Sequence, residues 1–109
     1  MPLYMIQAAY TSEALATLTK NPQDRAEAIR PLIESLGGKL QHFWFAFGDY
    51  DAVVICELPD NVSAAAFSFI GSAGGAVKAI KTTPLMSAED GIAAFKKASG
   101  LNYQPPVSR

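Results

Sequence analysis

Residues 39–58, KLQHFWFAFGDYDAVVICEL, contain two runs of β-forming residues on either side of Gly48-Asp49. Successive side chains of a strand point to opposite faces of its sheet. A two-residue turn at Gly48-Asp49, with glycine first as a type II′ turn prefers, predicts a β-hairpin. The predicted cross-strand pairs are Phe45 with Ala52, Phe43 with Val54, Trp44 with Val53, and His42 with Ile55.

The two faces of this predicted hairpin are consistent from one strand to the other. We assign to the core face Phe43, Phe45, Phe47, Ala52, Val54, Cys56 and Leu58. The opposite face then carries Leu40, His42, Trp44, Ala46, Asp51, Val53, Ile55 and Glu57. A register shifted by one residue would mix the two sets, so the turn and the hydrophobic pattern support each other.

Upstream of the hairpin, the pattern predicts one strand followed by helical structure. Residues 3–10 are rich in apolar and β-forming types, and Thr11 follows as a helix N-cap. A longer helix is predicted to begin at Asn21-Pro22-Gln23-Asp24, with Asn21 as the cap and proline in the first helical position. Gly37-Gly38 ends it.

Downstream, Asp60 is predicted to cap a helix that is followed by a fourth strand over residues 76–83. The apolar stripe of this helix is assigned to Val62, Ala65, Ala66, Phe69 and Ile70. Ser87 then begins a short helix. The order strand, helix, strand, strand, helix, strand predicts an α+β fold of the ferredoxin-like split βαββαβ type with a four-stranded antiparallel sheet. We expect a single domain over residues 1–98 and an extended C-terminal tail over residues 99–109.

Helices on one side of such a sheet leave its other face bare. On that face we place Gln7, His42, Trp44, Val53, Ile55, Glu57, Lys78 and Ile80. This mixture is too apolar to remain in water. Packing it against the same face of a second copy predicts a homodimer, or a higher homo-oligomer, of the dimeric α/β-barrel type.

Composition excludes several classes of partner. The 109 residues have a formal net charge of -1 and no Lys/Arg run, so we expect no nucleic acid ligand. No apolar stretch approaches about 18 residues and the first segment is not a signal peptide, so we expect a cytoplasmic protein without membrane contact. The single Cys56 and single His42 are too few for a disulfide or a zinc site. A metal site made of carboxylates alone is the remaining alternative, and it is weak because the Asp and Glu residues are scattered along the chain. We expect neither metal nor cofactor.

The turn Gly48-Asp49-Tyr50-Asp51 with the following Ala-Val-Val-Ile resembles the GYD domain family of small bacterial proteins. Tyr10-Thr11 upstream and Leu36-Gly37-Gly38 at the end of the long helix belong to the same resemblance, which covers about residues 3 to 98. It implies the dimeric α/β-barrel fold. It implies no particular activity, because the family has no agreed biochemical role.

His42 and Asp51 are the candidate catalytic residues. His42 could act as a general base beside Trp44 as an aromatic wall, and Asp51 could activate water or orient His42. The alternative is structural, with His42 and Trp44 packed at the dimer interface. In the turn, Gly48 would then supply a positive φ and Asp51 would bond to the turn amides.

Ligand-binding candidates are Trp44, Tyr10, Tyr50 and Arg25. Arg25 could reach a carboxylate ligand near the Tyr10-Thr11 turn, although arginines on helices are more often simply solvated. Tyr50 is equally explained as a cover for the strand end. Cys56 lies on the predicted core face with no basic neighbour in sequence, which indicates a packing role.

Three hypotheses about function remain open. The first is a binding or assembly module that holds a small apolar or aromatic molecule between sheet and helices. The second is a cofactor-independent enzyme, similar to the monooxygenases, decarboxylases or isomerases of the dimeric α/β-barrel type, that uses His42. The third is a purely structural dimer.

Overall fold

The computed structural model describes residues 1–107, which form a four-stranded antiparallel sheet and four helices. The elements in chain order are β1 (Leu3–Tyr10), α1 (Ser12–Lys20), α2 (Arg25–Ser35), β2 (Lys39–Phe45), β3 (Ala52–Glu57), α3 (Asn61–Ala73), β4 (Val77–Leu85) and α4 (Ala88–Ser99). The strand order is β2-β3-β1-β4, so β1 and β3 are the central strands. The predicted α+β fold of ferredoxin-like order is confirmed.

The central hairpin has the predicted register, with all four predicted pairs present. The ladder ends where the Ala46 amide donates to the Asp51 carbonyl at 2.7 Å, and residues 47 and 50 form no backbone hydrogen bond with each other. The loop is therefore longer than the two-residue turn predicted at Gly48-Asp49, although the register of the strands is the same. Gly48 in the loop has a φ of +126°, which agrees with the expected need for glycine. Phe47, however, was assigned to the core and is 99% exposed, because it lies beyond the last paired residue.

A β-bulge at Gln41 corrects a second assignment in β2. Leu40 pairs with Cys56 and His42 pairs with Ile55, so Gln41 is an extra residue without a partner of its own. The bulge turns Leu40 to the core face, where it is buried. Strict alternation had placed Leu40 on the opposite face, and a bulge breaks that alternation by one residue.

The predicted start of the long helix is wrong by several residues. Asn21 is the C-cap of α1, since its amide donates to the Thr17 carbonyl at 2.9 Å. Asp24 is the N-cap of α2, and its carboxylate accepts a bond from the Ala26 amide at 3.0 Å. Pro22 therefore lies between two helices, and α2 begins at Arg25. Thr11 caps α1 as predicted, by accepting from the Ala14 amide.

Helix α3 is rotated relative to its predicted orientation. Ala64 and Phe67 are its buried residues, whereas Val62 and Phe69 of the predicted stripe are largely exposed. Two hydrogen bonds of 2.8 Å set this rotation, from the Tyr4 hydroxyl to Asn61 Oδ1 and between the Ser68 and Thr82 hydroxyls. Because α3 has no charged residue, its hydrophobic pattern alone does not define a buried face.

The edge strand β4 also departs from its prediction. It continues to Leu85, two residues beyond the predicted end, and tolerates Pro84 because an edge strand leaves amides unpaired. Lys78 is the extra residue of a bulge, since Ala9 pairs with Ala79 and Tyr10 pairs with Val77. Ile80 pairs with Ala8 and packs against the core, so its assignment to the bare face is wrong.

The core lies between one face of the sheet and the helices α2 and α3. Its buried cluster comprises Tyr4, Ile6, Ile33, Leu40, Val54, Cys56, Leu58, Ala64 and Phe67. On the opposite sheet face, Gln7 and Trp44 flank Val53, and Met5 and His42 flank Ile55, as their register shows. These residues remain partly or largely exposed.

Helix α4 leaves the end of β4 and buries none of its side chains. Ser87 caps it as predicted, accepting from the Asp90 amide at 3.0 Å. Residues 100–107 have no regular secondary structure, and Ser108 and Arg109 at the end of the predicted tail lie outside the described residues. Among residues 1–107, no helix combines the length and the apolar character needed to cross a membrane.

Candidate functional site

A cavity of about 310 Å³ lies between the helix-covered face of the sheet and the helices α2 and α3. Its walls are almost entirely apolar. The strands contribute Ile6, Ala8, Phe43, Ala52, Val54, Val77 and Ile80, and the helices contribute Ala28, Ile29, Leu32, Phe67, Ile70 and Gly71. An apolar cavity of this kind offers a ligand the burial of carbon surface as its main source of affinity.

Two polar side chains, Tyr10 and Arg25, stand among these walls. Tyr10 is the last residue of β1 and lines the cavity along with Ile6 and Ala8, as the two-residue period of a strand requires. Arg25 is there because Asp24 caps α2 and makes Arg25 its first helical residue. Within residues 1–107, Arg25 is the only lining residue with a formal charge. The structure thus brings together two of the four predicted ligand-binding residues.

Burial raises the pKa of the Tyr10 phenol, because the phenolate would lose its hydration. The nearby Arg25 guanidinium acts in the opposite direction, and the Asp51 carboxylate adds a smaller upward contribution. The net shift is upward from 10.0, so the hydroxyl is protonated at neutral pH and is able to donate a hydrogen bond.

Asp51 connects the central hairpin to the end of β1. Its Oδ2 accepts a hydrogen bond from the Tyr10 amide at 2.9 Å, and its own amide donates to the Ala8 carbonyl at 2.8 Å. The carboxylate therefore bonds to a neighbouring strand, whereas the sequence predicted bonds to the turn amides. These contacts hold the backbone of Tyr10 in place at the cavity.

A second, more open cleft of about 370 Å³ lies on the other side of Tyr10. Asp51 and Tyr10 line it together with Leu15, Leu18, Phe45 and Phe47. It is wide open to solvent, with Phe47 fully exposed, so the cavity under α2 and α3 is the better enclosed of the two.

His42 and Trp44 lie on the opposite face of the sheet from the cavity. Their rings stack at a centroid distance of 4.8 Å with an interplanar angle of 8°. His42 pairs with Ile55, several residues along the hairpin from Asp51 near the turn. The structure does not bring the two candidate catalytic residues together. Tyr50 is half-buried in the hairpin loop and lines neither the cavity nor the open cleft.

The cavity walls are the part of the site that the sequence did not reveal. Phe67, Ile80 and Val77 carry no chemical signal that separates a wall residue from an ordinary core residue. Arg25 is the one sequence signal for the cavity, because it is a charged residue at the start of an otherwise apolar helix face. In the part of the chain that the structure describes, no group of three or more His, Cys, Asp or Glu side chains is placed to bind a metal ion.

The architecture defines the class of protein: a ferredoxin-like α+β domain with helices on one face of its sheet and a cavity beneath them. Comparison with known protein families matches residues 4–95 to the GYD domain. The match covers most of the chain, which belongs to the GYD domain family, as the residues around Gly48-Asp49-Tyr50-Asp51 indicated. No curated protein and no solved structure matches the chain significantly.

Proposed function

We propose that this chain is a binding module that holds one small apolar or aromatic molecule between its sheet and helices α2 and α3. The observation that carries the proposal is the cavity of about 310 Å³ with apolar walls. Protein interiors are close-packed, with few voids larger than a water molecule. An apolar cavity of about 150 Å³ is sufficient to bind benzene, so this one has room for a ring and a short side chain.

Binding is favoured over catalysis by the chemistry of the walls. General acid-base catalysis needs an ionisable group within hydrogen-bond reach of the reacting atoms. His42, the residue on which the enzyme hypothesis depends, lies on the far side of the sheet. The cavity offers a phenol and a guanidinium, which are better suited to orienting a ligand than to exchanging protons near neutral pH.

We further propose that the chain is a homodimer or a higher homo-oligomer, joined through the sheet face opposite the cavity. Trp44 is 53% exposed on that face, beside Val53 and Ile55, which remain only partly covered. Burial of this apolar area against a second copy of the chain would stabilise the dimer. A cytoplasmic location completes the proposal, and the free thiol of Cys56 is compatible with a reducing compartment.

A cavity-filling variant tests the binding proposal. Gly71 lines the cavity, and a Cβ added there would meet only the tip of Ile80 at ordinary contact distance. Gly71→Leu should therefore fold and occupy part of the cavity. The matched control is Gly91→Leu on α4, where an added Cβ meets nothing within 4 Å.

The measurement is ¹⁹F NMR titration with 4-fluorotoluene as an apolar probe. We expect wild type and Gly91→Leu to bind it, and Gly71→Leu to bind at least about tenfold more weakly, because a filled cavity cannot bury the ring. Absence of binding to the wild type, or equal binding by both variants, would contradict the proposal and favour the purely structural dimer.

A further inference from the structure

We infer that the ligand of this cavity is a carboxylate: an aryl or short alkyl acid whose hydrocarbon lies between sheet and helices while its charge is bound by Arg25 and Tyr10. The inference rests on the proposed binding function. It adds the chemical class of the ligand, for which three observations give independent support.

The first observation is the charge balance of the cavity. Arg25 is the sole formally charged residue on its walls within residues 1–107, and no acidic side chain lines it. A cationic ligand would meet a like charge there. A neutral hydrocarbon would remove water from part of the guanidinium without balancing its positive charge. An anion satisfies both the apolar walls and the cation.

The second observation is that none of the nearby carboxylates that the structure describes is paired with Arg25. Asp24 accepts from the Ala26 amide, Glu27 forms the ion pair with Arg30 at 3.4 Å, and Asp51 accepts from the Tyr10 amide. In the described part of the chain, no ion pair includes Arg25. The described residues therefore supply no counter-ion to the Arg25 guanidinium, which keeps donors for an external anion beside its hydrogen bond with the Tyr10 side chain.

The third observation is a second donor beside the guanidinium. Tyr10 and Arg25 line the same cavity and also share the smaller cleft beside α1. The Tyr10 hydroxyl can accept a hydrogen bond from Arg25, and no oxygen of residues 1–107 accepts a bond from that hydroxyl, so its proton remains available to a ligand. A carboxylate has two oxygens, which matches a planar guanidinium combined with one hydroxyl donor.

The test compares two ligands of the same shape, 3-phenylpropanoate and 3-phenylpropanamide, by isothermal titration calorimetry. We expect the wild type to bind the acid at least about tenfold more tightly than the amide, since hydrogen bonds to charged groups exceed neutral ones in strength. Raising the salt concentration should weaken binding of the acid and leave the amide unchanged.

Substitutions then assign this preference to its residues. Arg25→Met keeps an unbranched, flexible side chain and removes the guanidinium with its charge, so the preference for the acid should fall below about threefold while amide binding persists. Tyr10→Phe keeps the ring and should weaken the acid more than the amide, because the hydroxyl donates a stronger hydrogen bond to a carboxylate than to a neutral carbonyl. The matched control is Arg30→Met on the same helix, which lies outside the cavity and should bind both ligands like wild type.

The outcomes separate the two proposals. Equal binding of acid and amide by the wild type, or an acid preference that survives Arg25→Met, overturns the carboxylate inference and leaves the binding function standing. Failure of the wild type to bind either ligand also overturns the carboxylate inference, and it overturns the binding function as well if 4-fluorotoluene does not bind. If Arg25→Met does not fold, Arg25→Lys replaces it, and the inference then requires a weakened but measurable preference for the acid, because lysine lacks the two-pronged geometry.

Discussion

Cys56 shows at the scale of one residue how burial controls chemistry. Its side chain is fully buried on the core face of β3, and desolvation raises the pKa of its thiol from 9.0 to about 11. The thiolate, which is the reactive form, is therefore scarce at neutral pH. We expect a thiol reagent to modify Cys56 slowly in the native protein and rapidly after denaturation. Rapid labelling of the folded chain would contradict its position in the core.

The same pKa shift makes stability depend on pH in the alkaline range. The folded pKa lies above the unfolded one, so the stabilisation is present below about pH 9 and is lost as pH rises toward 11. Tyr10, whose pKa is also raised, adds a loss above its ordinary value of 10.0. Denaturant unfolding of wild type and Cys56→Ala at pH 8 and pH 10.5 measures this. The difference in free energy between the two pH values should be smaller in the variant.

We predict a packing role for His42, because it lies on the sheet face opposite the cavity. It stacks on Trp44 across the sheet from the cavity. His42→Gln should retain the oligomer, cost about 1 to 2 kcal/mol of stability at most and change ligand affinity by less than about tenfold. If wild type shows turnover of some substrate, and this falls more than about a hundredfold in a folded, dimeric variant, the enzyme hypothesis replaces the binding one.

At the scale of elements, the junction between α2 and β2 depends on the absence of a side chain at Gly38. The Gly38 amide donates to the Ile33 carbonyl at 3.0 Å and ends the helix. A Cβ at this position would collide with the Glu57 carbonyl of the adjacent strand and crowd Leu58. Because backbone cannot move aside as a flexible side chain can, Gly38→Ala should destabilise the fold by about 2 to 4 kcal/mol.

The control for this prediction is Gly91→Ala in α4, which meets no neighbouring atom. Alanine favours a helix over glycine by up to about 1 kcal/mol, so this variant should be as stable as wild type or slightly more stable. Urea denaturation monitored by circular dichroism compares the two. Similar stability of both variants would show that β3 does not approach Gly38 as closely as the structure indicates.

At the scale of the whole molecule, the distribution of apolar surface bears on the proposed self-association. Helix α3 has no charged residue and exposes Val62 and Phe69, and α4 exposes Ile92 and Phe95. A helix as short as α4 is only marginally stable when it packs against nothing. The proposed homo-oligomer rests on these exposed apolar surfaces and on the sheet face around Trp44.

Val53→Asp tests the proposed interface. Val53 lies at the centre of the sheet face opposite the cavity, between Gln7 and Trp44. A carboxylate there would be buried without a partner in the dimer, so the variant should shift the population toward monomer at micromolar concentration. Multi-angle light scattering measures the shift, with Ala16→Asp on the exposed side of α1 as the control. A wild type with the mass of one chain would contradict the interface.

The sequence by itself determined the α+β order of the elements, the register of the central hairpin and the helix caps at Thr11, Asp60 and Ser87. These features depend on alternation along a strand and on hydrogen bonds between residues a few positions apart. The residues that make these interactions are close together in the sequence, so the interactions can be predicted without knowing the rest of the fold.

Only the tertiary structure decided the bulges at Gln41 and Lys78, the rotation of α3, and the placement of Arg25 beside Tyr10. The rotation depends on a hydrogen bond from Tyr4 to Asn61, which are 57 positions apart. The cavity depends on six separate elements, all four strands and the helices α2 and α3, which leave space between apolar side chains. An apolar residue that lines a cavity cannot be told from a core residue by sequence, because both positions are shielded from water and favour the same apolar side chains. For this reason the walls of the site became visible only once the chain was folded.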